Sequence, residues 1–190
     1  MVRITLIVVS VMVAASCNNN KRVENKVISL LVEDTALHLN NGVWYYKQAV
    51  LNGTINEFYP SGTKKLTKQI SNGRNEGITE TWYINGKRES YRWYLNGEKD
   101  SVHSGWWPNG NIKFEYHFKE GEYNGMFTEW YKDGKIYQQV MYAKGKDLYG
   151  KGWRESGTLF MNFISKNGRR YGLNNSNFCY SLKNENVSVK

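Results

Sequence analysis

The sequence predicts an all-β protein, an elongated single antiparallel β-meander built from tandem β-hairpin repeats of about 24 residues. Two ladders of glycine and one column of aromatic side chains recur at this period, and the prediction depends on them. The first ladder is Gly62, Gly86, Gly110, Gly134 and Gly157, and the second is Gly73, Gly97, Gly121, Gly145 and Gly168. The aromatic column is Phe58, Trp82, Trp106, Trp130 and Trp153.

Each repeat carries two turn signals that separate strand-like segments. Residues 77–97 read G-I-T-E-T-W-Y-I-N-G-K-R-E-S-Y-R-W-Y-L-N-G, in which runs of β-branched and aromatic residues end at Asn-Gly, a hairpin signal. Both prolines of the chain, Pro60 and Pro108, stand two residues before a glycine of the first ladder. Proline suits position i+1 of a type I turn, and glycine supplies the positive φ two residues later. The first ladder is therefore predicted to hold the turn-structural glycines of three-residue loops with a G1 bulge.

These loops fix the strand register and predict two different faces of the sheet. Trp106 is expected opposite Ile112, Trp130 opposite Ile136, and Trp153 opposite Leu159. Alternation then predicts an aromatic and aliphatic face, with Trp106, Ile112, Phe114, Tyr116 and Phe118 in one unit and Trp153, Leu159, Met161 and Phe163 in another. The other face is predicted to be polar and to carry a second aromatic column, Tyr59, Tyr83, Trp107 and Tyr131. Arg88, Ser90 and Arg92 are expected to interrupt the apolar face in the early units.

The chain divides into four predicted segments. They are a signal peptide over 1–16, a lipid-anchored tether and lead-in over 17–41, the repeat domain over 42–182, and a C-terminal tail over 183–190. No segment after the signal peptide has the pattern of a helix. Residues 17–35 are predicted to form either a short tether or an edge strand.

The first residues, MVRITLIVVSVMVAASC, have the pattern of a secretory signal. Arg3 supplies the positive charge, an apolar stretch follows, and small residues precede Cys17. The string A-A-S-C resembles the lipobox of bacterial lipoproteins, although Ala14 stands where that family usually has Leu or Val. The resemblance implies that Cys17 is diacylated and becomes the new N-terminus. The expected location is the bacterial cell envelope, at the outer membrane if the host has one; the alternative is a signal peptide without lipid.

The net charge is +9, and its location matters more than its size. Residues 149–190 hold seven Lys and Arg against two Glu, which gives +5. This basic end is expected either to face anionic lipid or an acidic partner, or to act as a solubilising cap. The export signal disfavours nucleic acid as a partner.

No catalytic or metal-binding pattern is present in the sequence. His38, His103 and His117 stand apart without a cysteine partner, so no metal is expected. Glu57, Glu80 and Glu129 recur near the aromatic residues, and pairing with nearby lysines is favoured over a catalytic carboxylate pair. Nucleotide-binding and nucleophile motifs are missing, so neither a cofactor nor an enzymatic activity is expected.

The unit G-x-x-x-x-W-Y-x-N-G-K…G-x-x-x-G resembles the variant-2 MORN repeat (membrane occupation and recognition nexus) of bacterial proteins, over roughly residues 42–182. Ser101 replaces a unit-opening glycine, Arg154 replaces the second aromatic, and the last unit is one residue short. The resemblance implies a repeat β-sheet without established catalytic residues. Many bacterial proteins of this type are described as YwqK-like antitoxins, and others are envelope lipoproteins.

Together these observations predict a non-enzymatic, envelope-anchored protein that binds or scaffolds a protein partner. The expected binding face carries Trp82, Trp106, Trp130, Trp153 and Phe114. One alternative is an antitoxin or immunity protein that neutralises a cognate toxin. A second alternative is a module in which the aromatic side chains bind glycan rings. In a third alternative the tryptophans bind no ligand and form only the internal ladder that holds a thin sheet together.

Overall fold

A computed structural model describes residues 28–174 and 177–178 of the chain. The predicted signal peptide, Cys17, Cys179 and the predicted tail lie outside the described residues. Within the described ranges the protein is all-β and contains no helix, which confirms the predicted fold class.

The described residues form seventeen strands. These are β1 (Ile28–Leu31), β2 (Leu37–Asn40), β3 (Val43–Tyr46), β4 (Ala49–Val50), β5 (Gly53–Phe58), β6 (Lys64–Ser71), β7 (Arg74–Trp82), β8 (Arg88–Leu95), β9 (Glu98–Trp106), β10 (Ile112–Lys119), β11 (Glu122–Tyr123), β12 (Gly125–Trp130), β13 (Ile136–Ala143), β14 (Lys146–Trp153), β15 (Leu159–Lys166), β16 (Arg169–Asn174) and β17 (Asn177–Phe178).

One large open sheet contains most of these strands. From β5 to β17 each strand pairs antiparallel with the next along the chain, except that the short β11 pairs only with β10. The strand β1 forms one edge of this sheet and pairs parallel with β5. The chain that connects β1 to β5 leaves the large sheet and forms the separate small sheet β2–β3–β4. The segment predicted as a lead-in over 17–41 therefore contributes an edge strand and β2 to the fold.

The two glycine ladders occupy two kinds of turn. Gly110 has a φ of +100°, and its N–H donates to the Trp107 carbonyl at 2.8 Å, as expected for a type I turn that ends in glycine. The second ladder closes two-residue loops in which both residues have positive φ, as in Asn72–Gly73 and Asn96–Gly97. Positive φ at both positions is the type I′ turn that matches the twist of antiparallel strands.

The predicted register is confirmed, but the predicted assignment of aromatic residues to faces is wrong. Trp106 does pair with Ile112, yet the preceding residue Gly105 pairs with Phe114, which leaves Lys113 as the extra residue of a β-bulge. The bulge places Phe114 on the face of Gly105, and alternation places Trp106 on the opposite face. The same shift occurs in the other repeats, where the extra residues are Lys65, Glu89, Tyr137 and Phe160. We call the two sides the Phe114 face and the Trp106 face.

Two apolar clusters lie at the two ends of the Phe114 face. In the first, Leu30, Leu51, Ile55 and Ile70 are buried and the small sheet packs against them through Trp44 and other side chains. In the second, the buried residues are Val140, Phe160, Met161 and Phe163. Between the clusters this face has buried polar residues at Thr79, Ser90 and His103, whereas the buried Thr128 pairs with Glu115 and lies on the Trp106 face. The expected interruption of the apolar face in the early units is thus present at Ser90, which pairs with Gly105.

Candidate binding cleft

A cleft of about 290 Å³ opens on the Phe114 face, at the edge formed by the turns of the first glycine ladder. Most of its lining is aromatic, and it contains one lysine and one glutamate. The lining residues are Trp107, Lys113, Phe114, Tyr116, Glu129, Trp130, Tyr131 and Tyr137. Concave sites with a largely apolar lining and a few polar groups are the usual form of a binding site.

The β-bulges bring side chains to this cleft that simple alternation would have sent to the other face. Lys113 and Tyr137 are the extra residues of two successive bulges, and each joins the face of the residue that follows it. Contacts agree with this placement: the Lys113 ammonium lies 4.6 Å from the centroid of the Trp107 ring, and Tyr137 contacts the Tyr131 ring edge to face at 5.2 Å. The cleft is therefore a consequence of the same irregularity that separates Phe114 from Trp106.

The second aromatic column joins successive repeats by hydrogen bonds to the backbone. Each member donates to the carbonyl of the aromatic-column residue in the next repeat, at 2.7 to 3.1 Å. The pairs are Tyr59 with Trp82, Tyr83 with Trp106, Trp107 with Trp130, and Tyr131 with Trp153. The sequence predicts this column but not its role as a donor, although the column recurs at the repeat period and keeps an O–H or N–H donor in four units. These bonds fix the walls of the cleft.

The floor of the cleft is a stack of aromatic rings. Phe114 stacks on Tyr116 with ring centroids 4.5 Å apart, and Tyr116 stacks on Phe127 at 4.4 Å. The Tyr116 hydroxyl donates a hydrogen bond to the Glu129 carboxylate. Burial and this carboxylate together raise the pKa of the Tyr116 phenol far above its usual range, so it stays a neutral donor.

Glu129 is the acidic group of the cleft. One of its oxygens accepts the Tyr116 hydroxyl, and the other accepts the Gln138 amide at 2.8 Å. Lys113 supplies the positive group, but its ammonium lies over Trp107 and forms no ion pair with Glu129. The cleft thus offers aromatic faces and a carboxylate with unused acceptor capacity, since an ionised carboxylate has about four lone-pair sites.

The residues predicted as the binding face are divided between the two faces. By alternation Trp82, Trp106, Trp130 and Trp153 all belong to the Trp106 face, and Trp130 also lines the edge of the cleft. Phe114 lies in the cleft on the opposite face. Two of those tryptophans are covered by cations of the preceding repeat. Lys64 lies 5.4 Å from the Trp82 ring centroid, and the Arg88 guanidinium lies 5.6 Å from that of Trp106.

The histidines are also separated in the structure. His103 is 2% exposed and bonded to the Trp93 carbonyl, His117 contacts Glu115 at 3.3 Å, and His38 stacks on Tyr45. Over residues 28–174 and 177–178, no cluster of three or more His, Cys, Asp and Glu side chains is arranged to bind a metal ion. The same part of the chain contains no helix long and apolar enough to cross a membrane.

No protein-family model matches the chain, and no curated protein matches it. The resemblance to the variant-2 MORN repeat therefore depends on the residues of the chain itself.

Proposed function

We propose that this protein is a non-enzymatic binding protein of the bacterial envelope, anchored through a lipid on Cys17, which holds a protein partner in the cleft on its Phe114 face. The observation that carries the proposal is the cleft itself, in which stacked and hydrogen-bonded aromatic side chains surround a carboxylate. Aromatic anchors in a pocket are the residues that most often dominate binding energy at protein interfaces.

The open sheet supports a protein partner over a small molecule. The cleft of about 290 Å³ is at the lower limit of the volumes typical for sites that enclose a drug-sized ligand. A site of this size fits one side chain of a larger partner, whose remaining contacts would extend over the neighbouring strands. On the same face Tyr123 is 39% exposed and packs against Phe127, whose ring stacks on Tyr116, which is consistent with such an extended contact.

The test compares two neighbouring tryptophans that lie on opposite faces. Trp107→Ala removes a wall of the cleft, and Trp106→Ala removes a side chain of similar size from the Trp106 face. Crosslinking and capture from membranes should recover a specific partner with the wild type and with Trp106→Ala, and much less with Trp107→Ala. Circular dichroism and thermal unfolding verify that both variants are folded.

Loss of the partner with Trp106→Ala but not with Trp107→Ala would instead place the partner on the tryptophan column, as the sequence alone suggests. Turnover of a substrate by the purified protein, abolished by one substitution in a folded variant, would contradict the non-enzymatic assignment. An antitoxin would use the same surface with a toxin as its partner. That alternative predicts a small adjacent reading frame that is toxic when expressed alone and is neutralised by this protein.

A further inference from the structure

The first repeat contains a complete group of carboxylate, aromatic ring and ammonium on the Phe114 face. The Lys65 ammonium is 2.5 Å from the Glu57 carboxylate and lies 5.8 Å from the centroid of the Tyr59 ring. The cation therefore has both an ion pair and an aromatic face. Lys65 is the extra residue of its bulge, eight positions after Glu57.

The fourth repeat has the same carboxylate and the same aromatic ring but not the cation. Glu129 and Tyr131 stand at the positions of Glu57 and Tyr59, one residue before and one residue after the aromatic column. The bulge residue eight positions after Glu129 is Tyr137 instead of lysine. Among the described residues, no Lys, Arg or His forms an ion pair with Glu129, whereas Glu57 and Glu80 pair with Lys65 and Arg88.

The space for a cation at Glu129 is the cleft. In the first repeat the corresponding position is filled by the side chain of Lys65, and in the fourth repeat the Tyr137 ring turns to the Tyr131 ring and lines the opening. Aromatic faces carry a negative potential and attract ammonium and guanidinium groups, more strongly where water is excluded. The Lys113 ammonium over Trp107 in the same cleft is an example of this attraction within the chain.

We propose that the cleft binds a lysine or arginine side chain of the protein partner, whose cation takes the position beside Glu129 that Lys65 takes beside Glu57. This inference rests on the proposed function and specifies the chemistry that the cleft recognises. The partner's cation would pair with the Glu129 carboxylate and lie against the Tyr131 and Tyr137 rings. Tyr116 and Gln138 would hold the carboxylate in place, as their hydrogen bonds already do.

The experiment titrates the full chain with single basic side chains at physiological salt. The ligands are Nα-acetyl-arginine amide and Nα-acetyl-lysine amide, the neutral isostere is Nα-acetyl-citrulline amide, and tetramethylammonium represents a small free cation. The indole N–H of Trp107, which is bonded to the Trp130 carbonyl, reports binding by NMR and is assigned with Trp107→Tyr. Affinity in the millimolar range is expected for one side chain, with citrulline at least tenfold weaker.

Three variants test the comparison between the repeats. Glu129→Gln keeps the shape and one of the two acceptor oxygens but removes the charge, and should weaken binding about tenfold or more. Glu57→Gln is the matched control, because its carboxylate already has a cation, and should leave binding unchanged. Tyr137→Lys supplies the lysine of the first repeat to the fourth and should abolish binding of the added cations while the chain stays folded.

Equal binding of citrulline and arginine derivatives, or unchanged affinity in folded Glu129→Gln, would overturn the proposal. Binding of tetramethylammonium without binding of either amino acid derivative would also overturn it, because the site would then select a small free cation. These outcomes leave the proposed function standing if Trp107→Ala still loses the captured partner. Conversely, the basic side chains could bind the cleft while no captured partner is lost with Trp107→Ala. That result would contradict the proposed function but not the preference of the cleft for a cation.

Discussion

The Phe114 ring occupies the space that a side chain at Gly105 would fill. The two residues pair across β9 and β10, and a methyl group at position 105 would overlap the ring. Gly105 does not have a positive φ, so the glycine is required here for space and not for backbone conformation. The same arrangement recurs on the Phe114 face, where Phe163 lies over its partner Gly150 with 2.7 Å between Cε1 and an added Cβ. At these two positions an aromatic ring thus covers the glycine that faces it on the neighbouring strand.

We predict that Gly105→Ala destabilises the protein by about 1–3 kcal/mol, because the methyl group forces the Phe114 ring from its position. Urea unfolding measures the change in free energy. In the Phe114→Ala background the space is free, and the same substitution should cost little. Equal costs in the two backgrounds would show that the ring is not the cause.

At Gly134 we predict an effect of backbone conformation alone. Its φ is +91°, and an added Cβ would meet no atom within 4 Å, so the Cβ itself causes no steric overlap. Gly134→Val should lower stability by roughly 1–3 kcal/mol, because a β-branched residue is strained at positive φ. Lys132→Ala in the same exposed turn is the control and should leave the melting temperature nearly unchanged. Similar melting temperatures for both variants would contradict the turn geometry.

The turns and the register could be predicted because they depend on local backbone requirements. Glycine at Gly110 and Asn-Gly at Asn96–Gly97 are needed for specific φ values, and the loop type then determines which residues pair. The faces could not be predicted by alternation from Trp106, because the bulge at Lys113 adds a residue between the pairs Trp106–Ile112 and Gly105–Phe114. One extra residue moves every later side chain to the other face.

The cleft could be predicted only in part. Phe114 was in the expected binding face, but Lys113 and Tyr137 reach the cleft through their bulges, and Trp107 was assigned to the polar side. The expected pairing of glutamates with lysines holds for Glu57 and was wrong for Glu129, where tyrosine stands at the position of the lysine. The separate small sheet could not be predicted: β3 and β4 lie within the predicted repeat domain of 42–182, yet they pair with β2 apart from the large sheet and pack on the first apolar cluster.

We predict that the mature protein begins at Cys17 and carries acyl chains. The small residues before this cysteine, after a basic and apolar segment, motivate the prediction. Mass spectrometry of protein purified from membranes should find a diacylated N-terminal cysteine. Cys17→Ser should abolish the modification and release the protein from the membrane fraction, whereas Cys179→Ser should change neither. An unmodified N-terminus, or a chain that still begins at Met1, would refute the prediction.

We predict that the free energy of unfolding decreases as the pH falls below about 6.5, because of His103. The ring is 2% exposed, lies 4.6 Å from the Phe118 ring, and has Arg92 and Lys99 nearby. Since the Trp93 carbonyl can only accept, the 2.7 Å contact fixes the proton of the neutral ring on Nε2. Burial is the largest cause and lowers the pKa of His103; the two cations act in the same direction, and the hydrogen bonds of the ring to the backbone of Trp93 and Asp100 oppose them only in part.

The direction of this pH dependence follows from the number of protons bound in the folded and unfolded states. Between the lowered pKa of the folded state and the ordinary value of about 6.5, the unfolded chain binds a proton that the folded chain does not. The free energy of unfolding therefore decreases as the pH falls through this window, by at most about 1.4 kcal/mol per pH unit. Urea unfolding between pH 7.5 and 5 measures the slope in the wild type and in His103→Gln, whose amide can still donate to Trp93. The variant should lose most of the slope, and an equal slope in both proteins would assign the pH dependence to other groups.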